Sequence, residues 1–171
     1  ARLIAQRAKG KNAALTYEPS MADGSLAGAR SGSGNFSVTL HGRSAHAGRN
    51  PEDGRNALIA AADLALRLTA LKSSDLKINV ARIDGGGPNN VVPDLAILRV
   101  NMRPANLDAM HYAGSALAQA ISAVELEHDV HARCHGGFNR PPKLLDDGAV
   151  RLFDLVRGTG HDLGLNLTWK A

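Results

Sequence analysis

Between Asn35 and Cys134 the apolar residues switch repeatedly between two periods, and the order of the switches leaves few architectures open. Phe36, Val38 and Leu40 alternate with polar neighbours, the period of a half-buried strand. Residues 56–71 then place Leu58, Ile59, Ala62, Leu66 and Thr69 at helical spacing. Residues 76–83 alternate again before a break at Gly85, Gly86, Gly87 and Pro88, and 94–103 read as a third strand closed by Pro104. Leu107, Met110, Gly114, Leu117, Ile121 and Val124 keep one helical face behind Asn106, a suitable N-cap, and 129–134 read as a fourth strand. Strand, helix, strand, strand, helix, strand is the order of an α+β, ferredoxin-like sandwich: two helices on one face of a four-stranded antiparallel sheet.

The flanks are of another kind. Residues 1–9 have the spacing of the tail of a helix stopped by Gly10, and 13–17 read as a short buried strand ended by Glu18-Pro19. Residues 22–34 are rich in glycine and serine, which marks a flexible connector and a boundary near Ser33. Beyond Arg140 come a helical segment, 146–158, and the start of a strand, 165–170. The expected organisation is therefore 1–33, 34–140 and 141–171, the middle segment being the sandwich.

Composition removes several classes of function. With 44% apolar and 21% charged residues the chain is globular, and its 4% aromatic content leaves a core of Ala, Val, Leu and Ile. The net charge of +4 is scattered among acids, and there is no aromatic platform for bases, so no nucleic-acid partner is expected. No apolar stretch approaches the roughly 20 residues needed to cross a bilayer. The start lacks a signal-peptide core, and the single Cys134 fits a reducing compartment, so the expectation is a cytoplasmic chain with no membrane partner. Cys134 itself is expected as a small buried strand residue.

Most residues able to do chemistry lie in 41–56, His-Gly-Arg-Ser-Ala-His-Ala-Gly-Arg-Asn-Pro-Glu-Asp-Gly-Arg-Asn, which joins the first strand to the first helix. Asn50-Pro51 can serve as N-cap and first helical residue. His46 sits among Ser44, Ala45, Ala47 and Gly48, too small to shield an imidazole. By residue chemistry alone it is either a surface histidine of a loop or a ring free to reach a ligand or another chain. Asn90, in Asn-Asn-Val-Val-Pro, is either turn chemistry or an amide donor to a carbonyl. Arg103 is either an exposed strand-end arginine or a planar fork for a carboxylate.

Gly42-Arg-Ser-Ala-His-Ala-Gly48 followed by Pro51-Glu-Asp-Gly-Arg-Asn-Ala57 resembles the dizinc metallopeptidase and deacylase family, which includes glutamate carboxypeptidase, acetylornithine deacetylase, succinyl-diaminopimelate desuccinylase and aminoacylase. The resemblance implies a catalytic domain interrupted by a ferredoxin-like lid through which the enzyme forms a homodimer. It implies that His46 reaches the partner's active site to hold the scissile carbonyl, and that Asn90 contacts substrate. It further implies that Arg103 binds the substrate carboxylate, also across the dimer, and that Glu18 is a zinc ligand. The implied substrate is a small N-acyl amino acid or a C-terminal glutamate conjugate, with two zinc ions in the full enzyme and none held stably by this chain alone, which is expected to be inactive. The competing expectation is a free-standing dimeric ferredoxin-like module that binds a small ligand. In either case, the proline-free strand of Phe36, Val38 and Leu40 is expected as an open sheet edge, and the alanine-rich helix at 56–71 as a surface for a second copy.

Overall fold

The computed structural model of the chain describes residues 2–12, 14 and 21–170. Glu18 lies outside the described residues, as does the strand expected over 13–17 apart from Ala14. In chain order the elements are α1 (Arg2–Ala8), β1 (Leu26–Ala27), β2 (Ser33–His41), α2 (Ala57–Ala70), β3 (Leu76–Gly85), β4 (Leu95–Pro104), α3 (Leu107–His128), β5 (His131–Arg140), α4 (Asp147–Asp162) and β6 (Trp169–Lys170). They divide into one compact unit, Ala29–Leu145, and another made of the two flanks, Ala1–Gly28 and Asp146–Ala171.

In the larger unit the strands form an antiparallel sheet in the order β3-β4-β2-β5, with α2 and α3 on one face. The covered face is apolar because alternate residues of each strand turn toward it. Val38, Leu40, Leu98 and Met102 are fully buried there against Leu64 and Leu68 of α2, and Val124 of α3. Phe36 and Phe138 meet edge to face, their ring centroids 5.3 Å apart.

Several expectations change. The strand of Phe36, Val38 and Leu40 is not an edge: β2 is hydrogen-bonded on both sides, to β4 and to β5, and the free edges belong to β3 and β5. Second, α2 turns a different stripe to the sheet from the one expected. Ala57, Ala60, Ala61, Leu64 and Leu68 are buried, while Ile59 and Leu66 stand 56% and 72% exposed. This helix is apolar nearly all round, and the sheet takes the alanine side because it allows close approach, so those alanines pack internally rather than against a second copy. Third, the helix begins at Ala57, where the Asn56 side chain accepts from the amides of Leu58 and Ile59. Asn50-Pro51 opens only a single 3-10 turn, Pro51–Asp53, and the Asn50 side chain caps nothing. Fourth, the last strand continues through Gly136 and Gly137 to Arg140. Gly136 has φ 105°, and a Cβ there would lie 2.0 Å from the Asn35 carbonyl oxygen, so glycine is what permits pairing rather than what ends it. Cys134 is on this strand as expected but exposed, because β5 is an edge; partial burial still raises its thiol pKa.

The flanking unit is held by the parallel pair β1 and β6 and by stacking of Phe153 on Trp169, with Arg157 over the indole. The connector expected to be flexible thus contributes a strand. Asp23 bonds Lys170 and the hydroxyl and amide of Ser25, and these partners lower its pKa to about 2. Among the described residues no helix is long and apolar enough to cross a membrane.

An ionic clamp joins the two covering helices. Asp63 of α2 accepts from Arg67 Nε at 2.9 Å and faces His128 Nε2 of α3 at 2.9 Å, while Arg67 also reaches Glu127. Arg67 first, then His128, lowers the Asp63 pKa. A depressed carboxylate contributes stability that is present above its unfolded value, near 4, and lost as the pH falls through the folded value. Asp63→Asn is therefore expected to cost up to about 1 kcal/mol at neutral pH, the upper end for a surface pair. The two proteins should converge in melting temperature as the pH falls through the lowered Asp63 pKa, which thermal unfolding followed by circular dichroism across pH will check.

Candidate active-site lid

At one end of the sheet the β2–β4 pairing continues past the strands into two loops, 42–56 and 86–94. The amide of Gly42 donates to the Asp94 carbonyl at 2.8 Å, that of Val92 to Ala45 at 2.9 Å, and that of Ala47 to Asn90 at 2.9 Å. The segments carrying His46 and Asn90, far apart in sequence, are thus zipped together, with His46 opposite Val91. Two glycines make this possible. A Cβ on Gly42 would lie 1.9 Å from the Arg55 carbonyl oxygen, and one on Gly54 would lie 2.9 Å from a Val92 methyl.

Arg55 braces the same loop. Its guanidinium donates to the carbonyls of Glu52 and Gly54 and to the carboxylate of Asp129, the left-handed cap of α3 (φ 50°). Arg43 donates to the Asp53 carbonyl. Neither arginine stands out in the sequence; the one signal for them is that both sit in a glycine-rich loop whose carbonyls need donors.

The orientation of the His46 ring follows from one hydrogen bond. The Gly48 amide donates to Nδ1 at 3.1 Å. A neutral imidazole that accepts at Nδ1 carries its proton on Nε2. The ring is half-buried, Asn90 is exposed, and Nε2–H is the end left to donate.

Arg103 lies elsewhere. Leu95 pairs with His41 at the His46 end, and Arg103 is eight residues further along β4, a rise of about 26 Å at ~3.3 Å per residue. It sits on the uncovered face of the sheet, where its Nε donates to Asn101 Oδ1 at 3.0 Å. Asn101 in turn donates to the Gly34 carbonyl and to Asn35 Oδ1, both at 2.9 Å. The structure therefore brings His46 and Asn90 together and keeps Arg103 apart from both. Among the described residues no three His, Cys, Asp or Glu side chains gather to hold a metal ion, so they do not by themselves make a zinc site.

Residues 28–129 match the M20 peptidase dimerisation domain family. The chain belongs to that family. It is 32% identical over 156 residues to carboxypeptidase G2 of Pseudomonas sp. (strain RS-16), an alignment covering 89% of this chain and 37% of that protein. It is 37% identical over 108 residues to one of the subunits of p-aminobenzoyl-glutamate hydrolase from Escherichia coli (strain K12), covering 58% of this chain and 25% of that protein. The crystal structure of aminopeptidase PepT from Bacillus cereus ATCC 10987 superposes with TM-score 0.77 at 20% identity, over 92% of this chain and 42% of that one, a likeness of fold. The M20 chain here thus spans little more than a third of the length of carboxypeptidase G2.

Proposed function

We propose that the chain is the lid and dimerisation portion of a zinc-dependent hydrolase that cleaves the amide bond of an N-acyl amino acid or C-terminal glutamate-type substrate. The observation that carries this reading is the His46 ring, which accepts from Gly48 at Nδ1 and so keeps Nε2–H to donate, in a loop whose main chain is bonded to the segment of Asn90. A donor so fixed is suited to the carbonyl oxygen of an amide as it gains negative charge, and Asn90 is suited to orienting the same substrate. Arg103 takes the substrate's carboxylate. Relatives named as a carboxypeptidase and as an aminobenzoyl-glutamate hydrolase support amide hydrolysis as the reaction class.

The lid is residues 34–140, and the strand order supports a ferredoxin-like topology for it. Residues 1–33 and 141–171 belong to the catalytic domain. Two zinc ions are the cofactors of the complete, cytoplasmic enzyme. Glu18 is the single ligand this chain contributes, so the 171 residues alone are inactive.

The enzyme is a homodimer, and the separation of about 26 Å between the two ends of β4 supports one way of sharing its lids. The amide and carboxylate of one amino acid are too close together to reach both ends of the same sheet. We infer that each active site uses Arg103 of its own subunit with His46 and Asn90 of the other, whereas the family resemblance alone implies Arg103 across the dimer. The exposed stripe Ile59, Ala62 and Leu66 on α2, alongside the free edge of β3, is the surface on which two copies join. In the complete enzyme Leu66→Glu is expected to give a monomer by sedimentation velocity and to abolish turnover, because His46 no longer meets a partner's site. A monomer that keeps full activity would refute the shared-site reading.

A further inference from the structure

On the uncovered face of the sheet, at the end nearest Ser33, Lys77 of β3 and Arg103 of β4 stand directly opposite each other. Both are exposed, and each lies between buried neighbours, Leu76 and Ile78 on one strand, Met102 and Pro104 on the other. Strand alternation therefore turns both cations to the same open side. Like charges directly across a strand pair repel. Among the described residues neither makes an ion pair.

The same face carries a second pair of opposed cations, and the contrast between the two is informative. Arg82 and Arg99 are also register partners, but Asp84 answers both, at 2.5 Å from Arg82 Nε and 3.7 Å from Arg99 Nε. Among the described residues the fold supplies a counter-charge to one pair and none to the other. It also orients Arg103: Asn101 occupies its Nε and is itself held by Gly34 and Asn35, so the two terminal nitrogens remain as an outward fork. Across a strand pair the Cβ atoms of Lys77 and Arg103 are about 5 Å apart, within the span of a short molecule bearing two carboxylates.

We propose that Lys77 and Arg103 form a two-cation seat for a dicarboxylic amino acid, with the Arg103 fork on one carboxylate and the Lys77 ammonium on the other. The substrate class of the site is then an N-acyl derivative of an acidic amino acid, since a neutral one leaves Lys77 unanswered. This rests on the reading of Arg103 as the carboxylate ligand and adds Lys77 as the residue that determines specificity.

The test is an NMR titration of the 171-residue chain with N-acetyl-L-glutamate and, separately, N-acetyl-L-glutamine. The glutamate compound is expected to shift resonances around Lys77 and Arg103. Lys77→Gln is expected to weaken it about fivefold, the upper worth of an exposed ion pair, to the level of the glutamine compound, whose own affinity stays unchanged. Equal binding of the two compounds to the unaltered chain, or a preference that survives Lys77→Gln, overturns the role of Lys77 and leaves that of Arg103 intact. Binding of both that is unaffected by Arg103→Gln, or no shift at either residue with either compound, overturns both.

Discussion

In the complete enzyme His46→Ala is expected to lower kcat by roughly a hundredfold or more, the scale of removing one donor to a developing oxyanion, with a smaller change in KM. The separation of effects follows from the geometry. Nε2–H donates most strongly when the carbonyl oxygen carries charge, so its loss falls on the transition state more than on substrate binding. The substitution should leave the loop in place, because the bonds that zip it to 86–94 run through the main chain of Gly42, Ala45 and Ala47 and not through the imidazole. Circular dichroism and an unchanged melting temperature will show that. An unchanged kcat would return His46 to the role of a surface histidine in a loop.

What the sequence made legible was local. The period of each strand and helix emerged, as did the Asn106 cap, whose side chain accepts from the Ala109 amide in the structure. So did the residues of the 41–56 stretch, because a histidine among small neighbours is conspicuous in any fold. What stayed hidden depends on contacts between distant segments. Nothing in Phe36-Ser-Val-Thr-Leu40 says that strands pair on both of its sides, and an isolated proline-free strand reads the same at an edge or at the centre. The buried side of α2 could not be read off a helix with apolar residues on nearly every side; the sheet chose it through the small size of Ala57, Ala60 and Ala61. The fourth strand, read as 129–134, runs on to Arg140 through Gly136, where the approach of the Asn35 carbonyl requires a residue without a side chain. Lys77 had no distinguishing mark in its own segment. Its interest comes wholly from the register that sets it against Arg103.

That register and the length of β4 also carry the second large prediction. If His46 serves the partner's site and Arg103 its own, then two single variants, His46→Ala and Arg103→Ala, damage different sites of a mixed dimer. Of the two sites in such a dimer, one receives both defects and the other receives neither. Random reassembly of the two inactive variants makes about half of all dimers mixed, so about a quarter of the sites should be whole. If instead both residues act across the dimer, or both within one protomer, every site in a mixed dimer lacks one of them and nothing is recovered. The measurement is turnover of an N-acyl glutamate by the two purified full-length variants, each alone and then together after dissociation and reassociation. Recovery of about one-quarter of the wild-type rate is the predicted result. A mixture no more active than its components, in dimers confirmed as mixed by mass spectrometry, would contradict the division of the lid between two active sites.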